Sequence, residues 1–173
     1  MVKGIFAGSF DPLTIGHIDL IKRSMQVCRQ LVIAIGINPE KKTMFTEEER
    51  LGLLNHAIKT EFDFLDSTNI TATSFSGLMV DLAREVGANV FIRGIRNVSD
   101  FEYEINLANI NKMLAPDIET IFLPTKPELM TCSSSAVKTI ARFEGDISKL
   151  APSYVVEAVK KKFGFVKFGD PEK

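Results

Sequence analysis

Cysteine is scarce in this sequence. The chain has only two, Cys28 and Cys132, among its 173 residues. Two cysteines so far apart do not make a disulfide framework, and neither lies in a CxxC or Cys/His group with the spacing of a metal site. This usage predicts a protein of the reducing cytoplasm with no metal site of its own.

Excess charge and long hydrophobic runs are also missing. The 21 Lys and Arg residues against 22 Asp and Glu leave a formal net charge of -1 at pH 7. A balanced chain has no general field that draws it onto nucleic acid or an anionic membrane. Its longest apolar runs, such as LVIAIGI at 31–37, are far shorter than the roughly 20 residues that span a bilayer, and its start lacks the continuous apolar core of a signal peptide. We therefore predict a soluble, cytoplasmic protein without nucleic-acid or membrane partners.

Short runs rich in branched apolar residues recur along the chain and are typical of buried parallel strands. We predict five strands, at 2–7, 31–37, 69–73, 89–93 and 119–123, with 62–65 as a weaker sixth candidate. Helical patterns lie between them. Apolar residues recur every three or four positions from Ile18 to Cys28, and Thr46 with Glu49 forms a capping-box signature. Further helices are predicted at 77–86, 100–114, 134–143 and 152–163.

Strand followed by helix, repeated about five times, predicts an α/β fold: a Rossmann-like open parallel five-stranded sheet with helices on both faces. Ligands bind beyond the carboxyl ends of the strands in such folds. No internal repeat or low-complexity linker divides the chain. We therefore predict one domain over residues 1–163, followed by a C-terminal tail at 164–173.

The stretch GSFDPLTIGH, residues 8–17, joins the first predicted strand to the first predicted helix. Glycines let backbone N–H groups approach an anion, Pro12 stiffens the turn, Ser9 offers a hydroxyl, and a helix N-terminus attracts phosphate. The loop is therefore suited to a polyphosphate, although ordinary turns favour the same residue types.

His17 falls in the first turn of that helix, near the positive end of the helix dipole, which disfavours a second positive charge. A neutral imidazole can still donate one hydrogen bond to a phosphoryl oxygen. The alternative is a polar side chain that caps its own helix. For His56, which has no motif around it, a purely structural role is favoured.

Further cationic and hydroxyl groups follow later strands. Arg93 and Arg96 flank Gly94 in FIRGIR and could each grip a phosphate with two N–H donors, or could simply be solvated. Lys41 and Lys42 follow the second strand, where adjacent lysines are commonly only solvated. Ser133, Ser134 and Ser135 precede a helical run, so at least one is expected to cap it while the same N-terminus offers donors to phosphate.

The residues GSFDP followed by TIGH resemble the signature of the nucleotidyltransferase superfamily with a T/HxGH motif, and most closely that of the bacterial phosphopantetheine adenylyltransferases. Three more stretches match that family in the same order: NPEKKTMFTEEER at 38–50, RGIRNVSDFEYE at 93–104 and CSSSAVK at 132–138. The resemblance covers nearly everything up to about residue 160. The family usually has Thr at the position of Ser9 and an aliphatic residue at that of Cys132; Ser9 keeps the hydroxyl.

The resemblance implies a dinucleotide-binding-type nucleotidyltransferase fold and the reversible transfer of AMP from ATP to 4'-phosphopantetheine, giving dephospho-CoA and pyrophosphate in coenzyme A biosynthesis. It also implies Mg²⁺ carried mainly by the substrate phosphates, feedback binding of CoA, and a homohexamer built as a dimer of trimers.

The resemblance assigns the site residue by residue. Catalytic roles go to His17, Lys41 and Ser9. ATP binding is assigned to Ser9, Phe10, His17, Gly94, Ile95, Arg96, Glu104, Leu129, Ser133, Ser134 and Ser135. Phosphopantetheine binding is assigned to Ser9, Lys41, Met79 and Arg93. By their own residue types, Glu104 could equally be an ordinary helix-surface glutamate and Met79 a core residue.

The implied reaction needs no general base, because a phosphate monoester with a second pKa of about 6 is already mostly a dianion at pH 7. Positioning and electrostatic stabilisation must instead supply catalysis of the direct in-line attack. We expect His17 to hydrogen-bond the α-phosphoryl oxygens in the transition state, and Ser9 and Lys41 to orient the attacking phosphate.

Two other readings remain open. A sister transferase that uses CTP with a phosphorylated alcohol, or one that adenylates nicotinamide mononucleotide, shares the superfamily signature, although its tetrapeptide usually begins with His and position 14 here is Thr. A nucleotide-binding sensor with this fold and no turnover is the non-enzymatic alternative.

Overall fold

The computed structural model describes residues 2–62 and 69–164. Within them, five parallel strands form one sheet in the order β3-β2-β1-β4-β5. The strands are β1 (Lys3–Gly8), β2 (Gln30–Gly36), β3 (Ile70–Phe75), β4 (Val90–Ile95) and β5 (Glu119–Pro124). Each end lies within two residues of its predicted place. Of the sixth candidate at 62–65, residues 63–65 lie outside the described residues.

Six α-helices alternate with and follow the strands in the described part of the chain. They are α1 (Ile15–Ser24), α2 (Glu47–Glu61), α3 (Met79–Val86), α4 (Val98–Leu114), α5 (Ser134–Arg142) and α6 (Ser153–Phe163). The capping box predicted for α2 is present, with Thr46 and Glu49 each accepting the other's backbone N–H. The helix predicted from 77 begins two residues later, because Gly77 has a φ of 98° that no helix allows. α4 begins two residues before its predicted start, because the Asn97 side chain caps the Asp100 N–H.

Helices cover both faces of the sheet, as predicted. Along β2, Leu31, Ile33 and Ile35 belong to one buried cluster, which includes residues of α1, α2, α5 and α6. The alternating Val32 and Ala34 belong to a second cluster, built with α3 and the residues that follow α4. Because successive strand residues point to opposite faces, these two clusters are the two halves of the core, one on each side of the sheet.

The sheet opens at its carboxyl edge between β1 and β4. Their pairing runs only from Gly4 with Val90 to Phe6 with Ile92, although both strands continue. Beyond that point a guanidinium nitrogen of Arg93 donates to the Ala7 carbonyl at 2.9 Å, where a regular sheet would have a backbone hydrogen bond between the strands. The chain order also reverses here, since β1 is flanked by β2 on one side and β4 on the other. Such a switch point creates the crevice in which ligands of open α/β sheets bind.

Helix α4 has an unusual surface. It has no buried residue, and several of its large apolar side chains are exposed, including Val98 at 74 % and Met113 at 75 %. Exposed apolar side chains commonly mark an interaction site where they lie together on a globular domain. Only one aromatic pair, Phe101 against Phe122 of β5, is recorded between this helix and the sheet within the described residues.

The two cysteines are buried free thiols, and burial raises the pKa of each above its usual value. Across residues 2–62 and 69–164, no helix combines the length and apolar character needed to cross a bilayer.

Candidate active site

Two cavities lie side by side at the carboxyl edge of the sheet, with volumes of about 510 Å³ and 390 Å³. They share a wall. The shared residues are Ala7, Gly8, Ser9, Lys41, Arg93 and Glu104. The larger cavity extends over the start of α1 and α5, and the smaller one extends over β3 and the start of α3. This edge therefore holds room for two ligands that meet at Ser9 and Lys41.

Most residues assigned to the site from the sequence line these cavities. The larger cavity is lined by Ser9, His17, Lys41, Arg93, Gly94, Arg96, Glu104, Ser133, Ser134 and Ser135. Met79 lines the smaller cavity and also packs against the second core cluster, so it is a core residue, and its contact with phosphopantetheine stays a prediction. Lys42 lines neither cavity, which separates it from Lys41.

Three residues assigned to ATP binding line neither cavity: Phe10, Ile95 and Leu129. Phe10 is fully buried and has a positive φ of 46°, with its ring 5.0 Å from that of His17. Ile95 ends β4, and Leu129 belongs to a short 3-10 turn before α5. The Phe10 ring therefore packs against the imidazole of His17. The ATP contacts assigned to these three stay predictions.

His17 caps its own helix through one ring nitrogen. Thr14 is the N-cap of α1, and its backbone N–H donates to Nδ1 of His17 at 3.1 Å, while its hydroxyl accepts the backbone N–H of His17. A backbone N–H can only donate, so Nδ1 bears the lone pair and the proton of the neutral ring lies on Nε2. The capping contact therefore uses Nδ1 and leaves Nε2–H for the predicted phosphate contact.

The imidazole stays neutral at physiological pH. Burial, and secondly the positive charge of Arg96, lower the pKa of His17 from 6.5 to about 4. Across the described residues Nε2 has no hydrogen-bond partner, and His17 lines the larger cavity. The ring thus presents one fixed N–H donor to a ligand in that cavity.

Arg93 and Glu104 form an ion pair on the shared wall. Nε and Nη2 of Arg93 lie 2.6 Å and 2.5 Å from the two carboxylate oxygens, and Nη1 donates to Ala7. A guanidinium has five N–H donors, so two remain for a ligand. Arg96 is held in a similar way by Asp100, at 2.8 Å and 3.1 Å. Both arginines are thus oriented by carboxylates of α4.

The three serines at the start of α5 differ in their contacts. Ser133 is the N-cap and accepts the Ala136 N–H at 3.0 Å, which confirms that one serine caps this helix. Ser134 donates to the Pro12 carbonyl at 2.8 Å and so ties α5 to the loop before α1. Ser135 makes no recorded side-chain hydrogen bond to the described part of the chain. The helix N-terminus packs closely on α1, where a Cβ on Gly16 would lie 3.1 Å from the Cys132 carbonyl oxygen.

Sequence reasoning missed several polar residues of the site. Ser99, Asp100, Tyr103 and Thr125 line the larger cavity. Asp11 and Arg50 are buried just behind it, and Lys138 pairs with Asp11. Asp11 lies inside the GSFDP motif, but Asp is also a common residue of ordinary turns. All of these residues except Thr125 lie within the stretches that match the family, so the sequence carried a signal for their region but not for their contacts.

The described residues contain no group of three or more His, Cys, Asp or Glu side chains that could hold a metal ion. The carboxylates on the larger cavity, Asp100 and Glu104, are each paired with an arginine.

Residues 5–140 match the sequence model of a family described as cytidylyltransferase-like. The phosphopantetheine adenylyltransferase of Alkaliphilus metalliredigens is 45 % identical to this chain, over 94 % of the chain and 99 % of that protein. That of Mesorhizobium japonicum is 43 % identical, over 92 % and 95 %. The chain belongs to the phosphopantetheine adenylyltransferase family. The resemblance found in the GSFDP and TIGH residues is thereby confirmed.

Solved structures support the same fold for this phosphopantetheine adenylyltransferase family member. A nicotinic acid mononucleotide adenylyltransferase from Plasmodium falciparum, in complex with NaAD, superposes with a TM-score of 0.68 at 15 % identity, covering 96 % of this chain and 98 % of that one. A lipopolysaccharide core biosynthesis protein from Thermoplasma volcanium gives 0.52 at 20 % identity, over 73 % and 98 %. The Rossmann-like nucleotidyltransferase fold is therefore confirmed.

Proposed function

We propose that this protein transfers AMP from ATP to 4'-phosphopantetheine, reversibly, giving dephospho-CoA and pyrophosphate in cytoplasmic coenzyme A biosynthesis. The observation that carries the proposal is the pair of cavities that meet at Ser9 and Lys41. A transferase that joins two substrates directly needs two binding spaces with one common wall. Membership of the phosphopantetheine adenylyltransferase family names the substrates.

The larger cavity is assigned to ATP. It combines the fixed N–H of His17, the guanidinium of Arg96 and the N-terminus of α5, all donors suited to phosphate oxygens. The smaller cavity is assigned to 4'-phosphopantetheine. Phe75, Leu78, Met79 and Leu107 give it apolar walls for the pantetheine arm, and Arg93 and Lys41 stand at the end where its phosphate would lie.

The chemistry follows from this arrangement. An oxygen of the acceptor phosphate dianion attacks the α-phosphorus of ATP, the new P–O bond forms, and the bond to the β-phosphate oxygen breaks in line as pyrophosphate leaves. Lys41, Ser9 and the two remaining N–H donors of Arg93 hold the attacking phosphate. Nε2–H of His17 donates to the α-phosphoryl oxygens, where negative charge builds up in the transition state.

Mg²⁺ is part of the proposal as an ion carried by the substrate phosphates. The carboxylates on the cavity wall are paired with arginines, and Mg²⁺ usually keeps several waters and binds phosphates with few protein ligands. When bound, it would neutralise charge on the β- and γ-phosphates. Arg96 and the serines of α5 would then act on the same triphosphate from the protein side.

We also propose a homohexamer built as a dimer of trimers, and CoA as a feedback inhibitor. The exposed apolar side chains of α4 support association through that helix. CoA shares the phosphopantetheine arm with the product, so it would compete for the smaller cavity. Light scattering tests the assembly, and displacement of labelled phosphopantetheine by CoA tests the competition.

The decisive experiment measures pyrophosphate release by the pure protein with Mg²⁺, with ATP or CTP as donor. The acceptors are 4'-phosphopantetheine, a phosphorylated alcohol and nicotinamide mononucleotide. We expect rapid turnover only with ATP and 4'-phosphopantetheine, and loss of turnover on chelation by EDTA. Turnover with another pair would establish a sister transferase, and ATP binding without turnover on any acceptor would establish a sensor.

A further inference from the structure

A buried carboxylate lies directly behind the candidate site. Asp11 is only 2 % exposed, and its two oxygens accept the backbone N–H groups of Met44, at 3.0 Å and 2.9 Å, and of Phe45, at 2.9 Å. The ammonium group of Lys138 in α5 lies 3.0 Å from Oδ2. One side chain of the first loop thus contacts the loop before α2 and the helix that carries the serines.

Arg50 joins the same two loops from the other side. It is 4 % exposed, and its guanidinium donates to the Ser9 carbonyl at 2.9 Å and to the Thr46 carbonyl at 3.3 Å. Asp11 and Arg50 therefore bind the segment 9–11 to the segment 44–46 through charged hydrogen bonds, which are stronger than neutral ones.

Lys41 lies in the loop that these contacts hold. At its front, the Asn38 side chain accepts the Glu40 N–H at 2.9 Å, and the Asn38 carbonyl accepts the Lys41 N–H at 3.1 Å. At its back, Met44 and Phe45 are fixed by Asp11. The side chain of Lys41 itself is exposed and lines both cavities. The long, flexible side chain of Lys41 therefore extends from a loop whose backbone is held by hydrogen bonds before and after it.

A buried carboxylate beside a polyphosphate site repels the phosphates, so its presence there needs a structural reason. The contacts of Asp11 supply that reason. Among residues 2–62 and 69–164, Asp11 accepts only from backbone N–H groups and from Lys138, which compensates its charge, and it lines neither cavity. A group that lines neither cavity can act on the reaction through the residues it positions.

We propose that Asp11 is a positioning residue for Lys41: its bonds to Met44 and Phe45 set where the Lys41 ammonium meets the attacking phosphate. The role of Lys41 rests on the proposed function, but the anchoring itself does not. Misplacement of a catalytic group by about 1 Å can cost about 10²-fold in rate. The expected defect is therefore in kcat, with the affinity for ATP alone nearly unchanged.

The test is a double-mutant cycle with Asp11→Asn and Lys41→Ala, measured as kcat with ATP and 4'-phosphopantetheine. We expect Asp11→Asn to lower kcat about 10- to 100-fold in the natural background and less than about 3-fold when Lys41 is already Ala. Amide hydrogen exchange by NMR is the second readout. The Met44 and Phe45 amides should exchange at least about 10-fold faster in Asp11→Asn, while the amides of α2 keep their protection.

Asp146→Asn is the matched control, because Asp146 also accepts a backbone N–H, from Ser148, but is exposed and far along the chain from the loop. Its kcat should be unchanged.

If Asp11→Asn does not fold, Thr43→Gly is the second variant. It loosens the exposed backbone between Lys41 and the Met44 and Phe45 amides and should lower kcat several-fold. Equal losses of kcat in both backgrounds, or unchanged exchange at Met44 and Phe45, would overturn the positioning role. Absence of activity in the natural protein, with fast exchange in Asp11→Asn, would instead overturn the proposed function alone.

Discussion

At the scale of the residue, His17 uses one ring nitrogen to cap its own helix, and its other nitrogen is the one proposed to bind a ligand. Its Nδ1 accepts the Thr14 N–H and closes the capping box of α1, and this bond places the ring proton on Nε2. The cap thereby sets the tautomer that a phosphate donor needs. Helix capping and phosphate binding, the two roles that the sequence left open for His17, therefore use different nitrogens and are compatible.

Replacing His17 separates these two roles. Gln at the third helical position can still reach back to the N-cap N–H, whereas Ala cannot. We expect His17→Ala to lower the free energy of unfolding by about 1 kcal/mol and His17→Gln to lower it much less. Both should lower kcat by about 10²- to 10³-fold, with the affinity for ATP little changed, because the Nε2 donor acts mainly in the transition state.

Urea unfolding and steady-state kinetics of the two variants check this separation. A Gln variant with near-normal kcat would show that His17 serves the helix only. A Gln variant as unstable as the Ala variant would show that the capping contact is not reproduced by the amide.

The lowered pKa of His17 also has a consequence for stability. Between pH 6.5 and about 4 the unfolded chain binds a proton at this residue and the folded chain does not, so the stabilising contribution of the neutral ring is present above pH 6.5 and is lost as the pH falls toward 4. We expect the melting temperature to fall more between pH 7 and pH 5 in the natural protein than in His17→Gln. Equal falls would contradict the lowered pKa.

At the scale of the element, three adjacent serines at the N-terminus of α5 make different contacts. Ser133 caps the helix, Ser134 hydrogen-bonds to Pro12, and Ser135 lines the larger cavity with no side-chain hydrogen bond to residues 2–62 or 69–164. A run of identical residues thus contains one structural group, one connecting group and one available donor. The geometry of a helix N-terminus produces this division, because the three side chains leave it in different directions.

Single substitutions should separate these serines. We expect Ser133→Ala to lower the free energy of unfolding by about 1 kcal/mol through loss of the cap, and Ser135→Ala to change it by less than about 0.5 kcal/mol. Both should raise the KM for ATP. Thr46→Ala is the matched control, since it removes the equivalent cap of α2 at a residue that lines neither cavity. Thermal melts and ATP titrations measure the two effects; a raised KM in Thr46→Ala would mean that lost stability alone explains the ATP defect.

At the scale of the whole molecule, α4 links the site to the surface. One part of this helix supplies Asp100 and Glu104 to the arginines of the cavity wall, and its exposed part carries Val98, Ile110 and Met113. Association through that surface would cover apolar area and hold the helix against the site. The proposed assembly and the order of the site are therefore connected through one element.

A charge on the exposed surface of α4 tests the assembly. Met113→Glu places a carboxylate at a side chain that is 75 % exposed, so the fold of the single chain should be unaffected. We expect light scattering to give a mass below that of a hexamer, because an unpaired charge buried at an interface is costly. Lys59→Glu, on the exposed surface of α2, is the control and should leave the mass unchanged. An unchanged mass in Met113→Glu would exclude this part of α4 from the interface.

The fold could be predicted closely because its signals are local. The strands differ from expectation by at most two residues, and the caps at Thr46 and Ser133 lie where hydroxyl residues precede helical patterns. The helix start at 77 was wrong for an equally local reason, the positive φ of Gly77, which a sequence pattern does not display. Of the site, residue types and chain positions could be predicted, while most contact partners could not.

The sequence by itself determined the parallel α/β fold, the loop at 8–17 that joins the first strand to the first helix, and the family, because apolar periodicity, turn residues and motifs are properties of neighbouring residues. Only the tertiary structure decided that Arg93 bonds to Ala7, 86 positions away, and that Asp11 contacts Met44 and Lys138, 33 and 127 positions away. These pairings depend on which strand ends meet at the sheet's edge. Hydrogen bonds between such distant residues follow from packing, and no local pattern specifies them.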